Sequence, residues 1–140
     1  MYPVDLQEKS GVVFGVANHS SIAWAIAKLL HDAGANLAIT YQNERLYERV
    51  SKLVEGQDRM TLLQCDVSSD QQIADVLSQA QQRLGAISFV IHSIAYANRE
   101  DLDGDFSKTS RQGFQTALEV SAYSLLPIAS ISTAKNNKVV

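Results

Sequence analysis

The sequence is poor in the residues that would make its chemistry obvious. A single cysteine, Cys65, cannot close an internal disulfide, and its strand-like neighbours make it read as a buried apolar thiol. Three separated histidines without a second cysteine offer no zinc spacing, so no metal site is expected. No apolar run approaches the roughly 20 residues that span a bilayer. The start, MYPVDLQEKSG, has acids close to Met1 and no signal-peptide core, so the expectation is a cytoplasmic protein without a membrane partner. An excess of basic charge is missing too. With a net charge of -3 and scattered lysines and arginines, the chain has no basic stripe, and no nucleic-acid partner is expected. No repeat, low-complexity tract or Pro/Gly linker divides the chain. Its 140 residues, 46% hydrophobic and 19% charged, suit one compact domain.

Apolar segments alternate between strand-like and helix-like spacing. GVVFGVA (11–17), NLAIT (36–40), MTLLQCDV (60–67) and AISFVIHSIA (86–95) read as strands. A helix after Ser20 or Ser21 places Ile22, Ile26, Leu29, Leu30 and Ala33 near one face and stops at Gly34. A polar helix follows over 43–54, and a third runs from Ser69 to Leu84, with Ile73, Val76, Leu77 and Ala80 at helical spacing, before Gly85. A last helix spans Ser110 to about Ile131, with Phe114, Ala117, Leu118, Ser121 and Leu125 along one face, and Pro127 is expected to kink or end it. This alternation predicts an α/β fold, a Rossmann-like doubly wound parallel sheet of strand order 3-2-1-4. In such a sheet a ligand sits beyond the strand carboxyl ends at the switch between strands 1 and 4, where Gly15, Asp66 and Ser93 converge.

The turn after the first strand, GVANHSSIAWAIA (15–27), is the most informative stretch. A dinucleotide turn is ordinarily G-x-G-x-x-G, because it must be tight, approach a pyrophosphate and seat a helix close to the sheet. Here only Gly15 opens the turn, Ser21 stands where a later glycine is common, and Ala25 lies on the helix. Taken with TYQNERL, CDV, HSIAYANREDLDGDF and SAYSL, this stretch resembles the NADH-dependent enoyl-acyl-carrier-protein reductases of bacterial fatty-acid synthesis, a divergent branch of the short-chain dehydrogenase/reductase superfamily. The similarity runs from Gly11 to about Ala129.

The resemblance implies an oxidoreductase with NADH/NAD as cofactor, enoyl-acyl-carrier protein as partner and a homo-oligomeric full-length form. It implies that Gly15, Ser21 and Ile22 meet the pyrophosphate, with small Ala25 allowing close helix packing. Gln42 meets the adenosine ribose region, and nearby Glu44 disfavours a 2′-phosphate, which Arg45 would offset. Asp66 and Val67 recognise adenine, and Ser93, Ile94 and Ala95 line the ribose and nicotinamide. Tyr96, Ala97 and Leu102 belong to the acyl-substrate pocket.

Family enzymes continue past the fourth helix into a fifth strand, a pair of active-site tyrosines and a lysine, whereas SISTAKNNKVV departs from that continuation. Residues 1–129 are therefore expected to form an incomplete Rossmann-like NAD-binding domain and 130–140 a divergent tail of a shortened product. Tyr123 and Lys135 do not stand in the family's tyrosine and lysine segment and are not read as replacements. No catalytic residue is assigned, and a noncatalytic NAD-binding or subunit-assembly module is the alternative to a working reductase.

Overall fold

The computed structural model describes residues 4–134; the first three residues of the amino-terminal reading and 135–140 of the expected tail, Lys135 among them, lie outside the described residues. Four strands, β1 (Ser10–Phe14), β2 (Asn36–Tyr41), β3 (Met60–Gln64) and β4 (Phe89–His92), form a parallel sheet of order β3-β2-β1-β4. Between them run α1 (Ile22–Asp32), α2 (Glu44–Val54) and α3 (Asp70–Leu84). After β4 come a short α4 (Arg99–Leu102), a 3₁₀ turn (Phe106–Lys108), α5 (Arg111–Leu118), a π-turn (Glu119–Tyr123) and α6 (Leu125–Ala134). The order and the parallel register, Val12 beside both Ala38 and Val90, are those of a Rossmann-like doubly wound sheet.

Strand alternation sorts the core into two layers. Val13, Leu37 and Ile39 face α1 and α2, packing with Ala23, Trp24, Ala27 and Val50. Val12, Phe14, Ala38 and Leu63 face the other side, against Ile73, Val76, Leu77 and Ala80 of α3 and Ile128 of α6. Both faces of the central strands are therefore covered, which is why those strands are continuous apolar runs rather than alternating ones. Among the described residues no helix is long and apolar enough to cross a membrane.

Several boundaries and faces differ from the sequence reading. β1 stops at Phe14 because Gly15 turns the chain at φ +109°, and β4 keeps only the four residues that pair with β1. β3 ends at Gln64, before Cys65 and Asp66. On α1 the buried face is Ala23, Trp24, Ala27 and His31, while Ile22 is 74% exposed and Leu29 is exposed as well. Small Ala23 and Ala27 let the helix approach the sheet and so set its phase; Ala25, expected to do so, faces out. Ser21 occupies the N-cap position of α1 without a side-chain capping bond, whereas Asn43 and Ser69 cap α2 and α3 by accepting from Leu46 and Gln72 N–H.

Pro127 neither ends nor kinks the last helix where expected. It stands in the first turn of α6, the part of a helix where a missing N–H costs least. The break comes earlier, at the π-turn, where Ser124 N–H reaches back five residues to the Glu119 carbonyl at 3.2 Å.

Candidate functional site

The carboxyl ends of the strands open into one crevice of about 170 Å³. Its floor is set by Gly15. The Ser93 N–H donates to the Phe14 carbonyl at 3.1 Å, so the chain leaving β4 passes directly over the end of β1. A Cβ at position 15 would land on the Ser93 carbonyl oxygen, and the positive φ independently favours glycine. Thus the single glycine kept in the turn is the one that both the backbone and the neighbouring strand require.

Asp66 and Val67 enter from the end of β3, Thr40 and Gln42 from the end of β2. The Asp66 carboxylate is held by its own turn: Oδ1 accepts from the Ser68 N–H at 3.0 Å and the Ser68 hydroxyl at 2.7 Å, and its main-chain N–H donates to Gln72 Oε1 at 2.8 Å. Partial burial pushes the carboxyl up, but the Ser68 bonds and one from the Gln42 side chain outweigh it and leave the pKa below the ordinary value. The crevice therefore carries an oriented, ionised acceptor. Next to it Cys65 is buried; burial, with the Asp66 charge adding to it, pushes the thiol up to about 12. It is a packing residue rather than a nucleophile.

The turn between Gly15 and α1 is braced from inside. Ser21 Oγ accepts from the Ala17 N–H at 3.0 Å and the Asn18 N–H at 3.1 Å, and Asn18 Oδ1 accepts from the Ser20 N–H at 2.8 Å. A serine thus does the work of extra glycines by tying the turn tight. Its own hydroxyl proton is left for an outside acceptor, and Ile22, which opens α1, has one of the N–H groups that find no partner within a helix. This donor set suits a phosphate oxygen.

Of the residues singled out from the sequence, Gly15, Gln42, Asp66, Val67, Ser93, Ile94, Ala95 and Tyr96 all line the crevice. Ser21 braces its rim through Ala17, which lines it. The Ile22 side chain points to solvent, Ala97 lies past the lining, and Leu102 sits on α4, 71% exposed. The sequence reading missed Val16, Ala17, Thr40, Leu46 and Val120. Thr40 was findable from the strand-end rule, while Leu46 and Val120 carry only an apolar helix signal that also describes core. Among the described residues no group of three or more His, Cys, Asp or Glu side chains could hold a metal ion.

A family model described as enoyl-(acyl carrier protein) reductase matches residues 15–136. An enoyl-[acyl-carrier-protein] reductase [NADH] of Bacillus cereus is 48% identical over 127 residues, covering 89% of this chain and 49% of the relative. One of Staphylococcus aureus, designated [NADPH], is 44% identical over 128 residues, 90% of this chain and 50% of the relative. The solved structure of the Bacillus cereus enoyl-acyl carrier protein reductase with NADP+ and indole naphthyridinone superposes with TM-score 0.86 at 44% identity, over 93% of this chain and 52% of that one. The chain spans about half the length of the curated relatives it matches. With the strand order, the serine-braced turn and this match over most of its length, the chain belongs to the enoyl-(acyl carrier protein) reductase family.

Proposed function

We propose that the crevice binds NADH and that this chain supplies the cofactor-binding half of an enoyl-acyl-carrier-protein reductase. The observation that carries the reading is the meeting of Gly15, Asp66 and Ser93, far apart in sequence, at the switch point between β1 and β4. Asp66 accepts from the adenine amine with Val67 against the ring, Gln42 meets the adenosine ribose, and Ser21 and the first amide of α1 hold the pyrophosphate. Ser93, Ile94 and Ala95 lie along the nicotinamide half, and Tyr96, with Ala97 and Leu102, marks the acyl side. Glu44, one residue inside α2 and close to Gln42, repels a 2′-phosphate, so NADH is preferred over NADPH.

Bound NADH would supply a hydride to the β-carbon of a trans-2-enoyl thioester on acyl carrier protein, with protonation giving the saturated chain. The protein's part is to fix the nicotinamide against the double bond and to stabilise the oxyanion that develops on the thioester. Among the described residues lining the crevice Tyr96 is the one phenol and none is a lysine; the Tyr96 hydroxyl donates to Asn98 Oδ1 at 3.3 Å. We therefore assign binding and positioning, and not the oxyanion donor, to the described residues of the crevice.

Titration calorimetry with NADH, NADPH and Asp66→Ala tests the reading. NADH should bind more tightly than NADPH, and the substitution should weaken binding by about 1–3 kcal/mol, the cost of an unpaired partner. Equal affinities untouched by Asp66→Ala would overturn it. NADH oxidation with a crotonyl thioester should stay far below a working reductase; robust turnover lost on Ser93→Ala would reassign catalysis to this chain.

A further inference from the structure

The wall of the crevice formed by Ser93–Tyr96 is tied to β1 at Ser93, and among the described residues no strand pairs with β4 on its other side. On that other side two serines three residues apart on one helix hold it. Ser121 Oγ accepts from the Tyr96 N–H at 2.9 Å and donates to the Tyr96 carbonyl at 3.1 Å, taking both main-chain groups of that residue. Ser124, fully buried, donates its hydroxyl proton to the Val120 carbonyl at 2.7 Å, so the 2.9 Å contact with His92 Nε2 has the imidazole as donor. The two contacts bracket the crevice wall at His92 and Tyr96.

A serine in a helix interior ordinarily bonds back to its own preceding turn. Ser124 does; Ser121 bonds across to Tyr96. The π-turn contains Ser121 and ends directly before Ser124, two residues that lie three apart on one helix face. Its extra residue rotates the helix after it by about 100° relative to an uninterrupted one, and the same turn places Val120 in the crevice.

We propose that Ser121, backed by the Ser124–His92 bond, is a positioning residue that fixes the nicotinamide-side wall of the crevice. The assignment of that wall to nicotinamide rests on the cofactor reading above. Ser121 touches neither the Asp66 turn nor its partners, so its influence is confined to one half of a dinucleotide.

The test uses the full chain, with Ser121→Ala and Ser121→Thr. Amide exchange at Tyr96, followed by NMR, should speed up about tenfold in Ser121→Ala. NADH affinity should fall about three- to tenfold while ADP-ribose, which lacks the nicotinamide, binds unchanged. Ser121→Thr, which keeps the hydroxyl, should restore both. An unchanged Tyr96 exchange rate overturns the clamp, and equal loss for NADH and ADP-ribose reduces Ser121 to a general structural residue. A wild-type chain that bound neither ligand would overturn the cofactor reading and the ligand role of the clamp with it, while Tyr96 exchange would still decide whether the clamp exists.

Discussion

The centre of the sheet and its β4 side are covered to different degrees. In β1 and β2, Val12, Val13, Phe14, Leu37, Ala38 and Ile39 lose all contact with solvent, sealed by helices on both faces. The carboxyl end of α1 is pinned as well, His31 Nε2 lying 2.7 Å from the Asp58 carbonyl and Arg59 reaching the His31 and Ala35 carbonyls. All four residues of β4, by contrast, are only half-buried, and the segment after it exposes Leu102, Phe106, Phe114, Leu118, Leu125 and Leu126. The crevice straddles this divide. Its Gly15–Val16 floor stands on the closed core; its Ser93–Tyr96 wall is tied to β1 at Ser93 and to a bent helix at Tyr96. An edge of apolar, β-branched residues with exposed helices beside it invites further pairing and burial.

The strongest way to break the contrast is to strike where the two regions touch. Gly15→Ala forces a side chain into a left-handed backbone and onto the Ser93 carbonyl. It should cost about 2–5 kcal/mol in denaturant unfolding, strain and overpacking together, and abolish NADH binding. A wild-type unfolding midpoint would show that the two strand ends are not in contact.

A matched pair of truncations measures the difference directly. Ile39→Ala, at a site with 0% exposure, should cost about 2–5 kcal/mol, and Leu118→Ala, 51% exposed, about 0.5 kcal/mol or less. Equal losses would mean that the α5 face is covered in solution. Light scattering across protein concentration checks the same face: the chain should self-associate, and Leu118→Gln with Leu125→Gln should suppress this without lowering the unfolding midpoint. A monodisperse wild-type monomer would remove the argument.

Titration sharpens the contrast more gently. Burial, only partly offset by a backbone hydrogen bond, holds His92 below its ordinary value. The unfolded chain therefore binds that proton first as pH falls. Stability is fully present above about pH 6.5 and declines as pH drops through the lower folded value. His92→Gln, which can still donate to Ser124, should flatten that part of the pH profile in thermal unfolding; an unaltered slope would place the titrating group elsewhere. Asp66 acts lower: its depressed folded pKa gives stability present above the ordinary carboxylate range and lost as pH falls through the folded value. The smallest effect is at Cys65, whose thiol should stay silent to a disulfide reagent at pH 8 until the chain unfolds.

Much of the architecture was legible in the sequence because each strand is a short apolar run bounded by a turn, and order 3-2-1-4 follows from parallel crossovers. The strand-end rule brought Gly15, Asp66 and Ser93 together without side-chain detail. The phase of α1 was not legible, since its alanines pack tightly while carrying less hydrophobic signal than Ile22 and Leu29. Nor was the π-turn: one extra residue in a helical pattern leaves no trace in composition, so Ser121 and Ser124 passed as ordinary helix positions. The α4 and 3₁₀ segment is short and polar, below the length at which periodicity shows.

The central claim is that three strand ends form one dinucleotide crevice, and an NMR titration of the labelled chain with NADH tests it most directly. The account predicts that the amides of Gly15, Asp66 and Ser93 shift together along one saturation curve, while Gln64, Gln79 and Arg83, which line a separate groove beside β3, stay still. No saturable shift at the three strand ends, or shifts confined to the β3 groove, would contradict it.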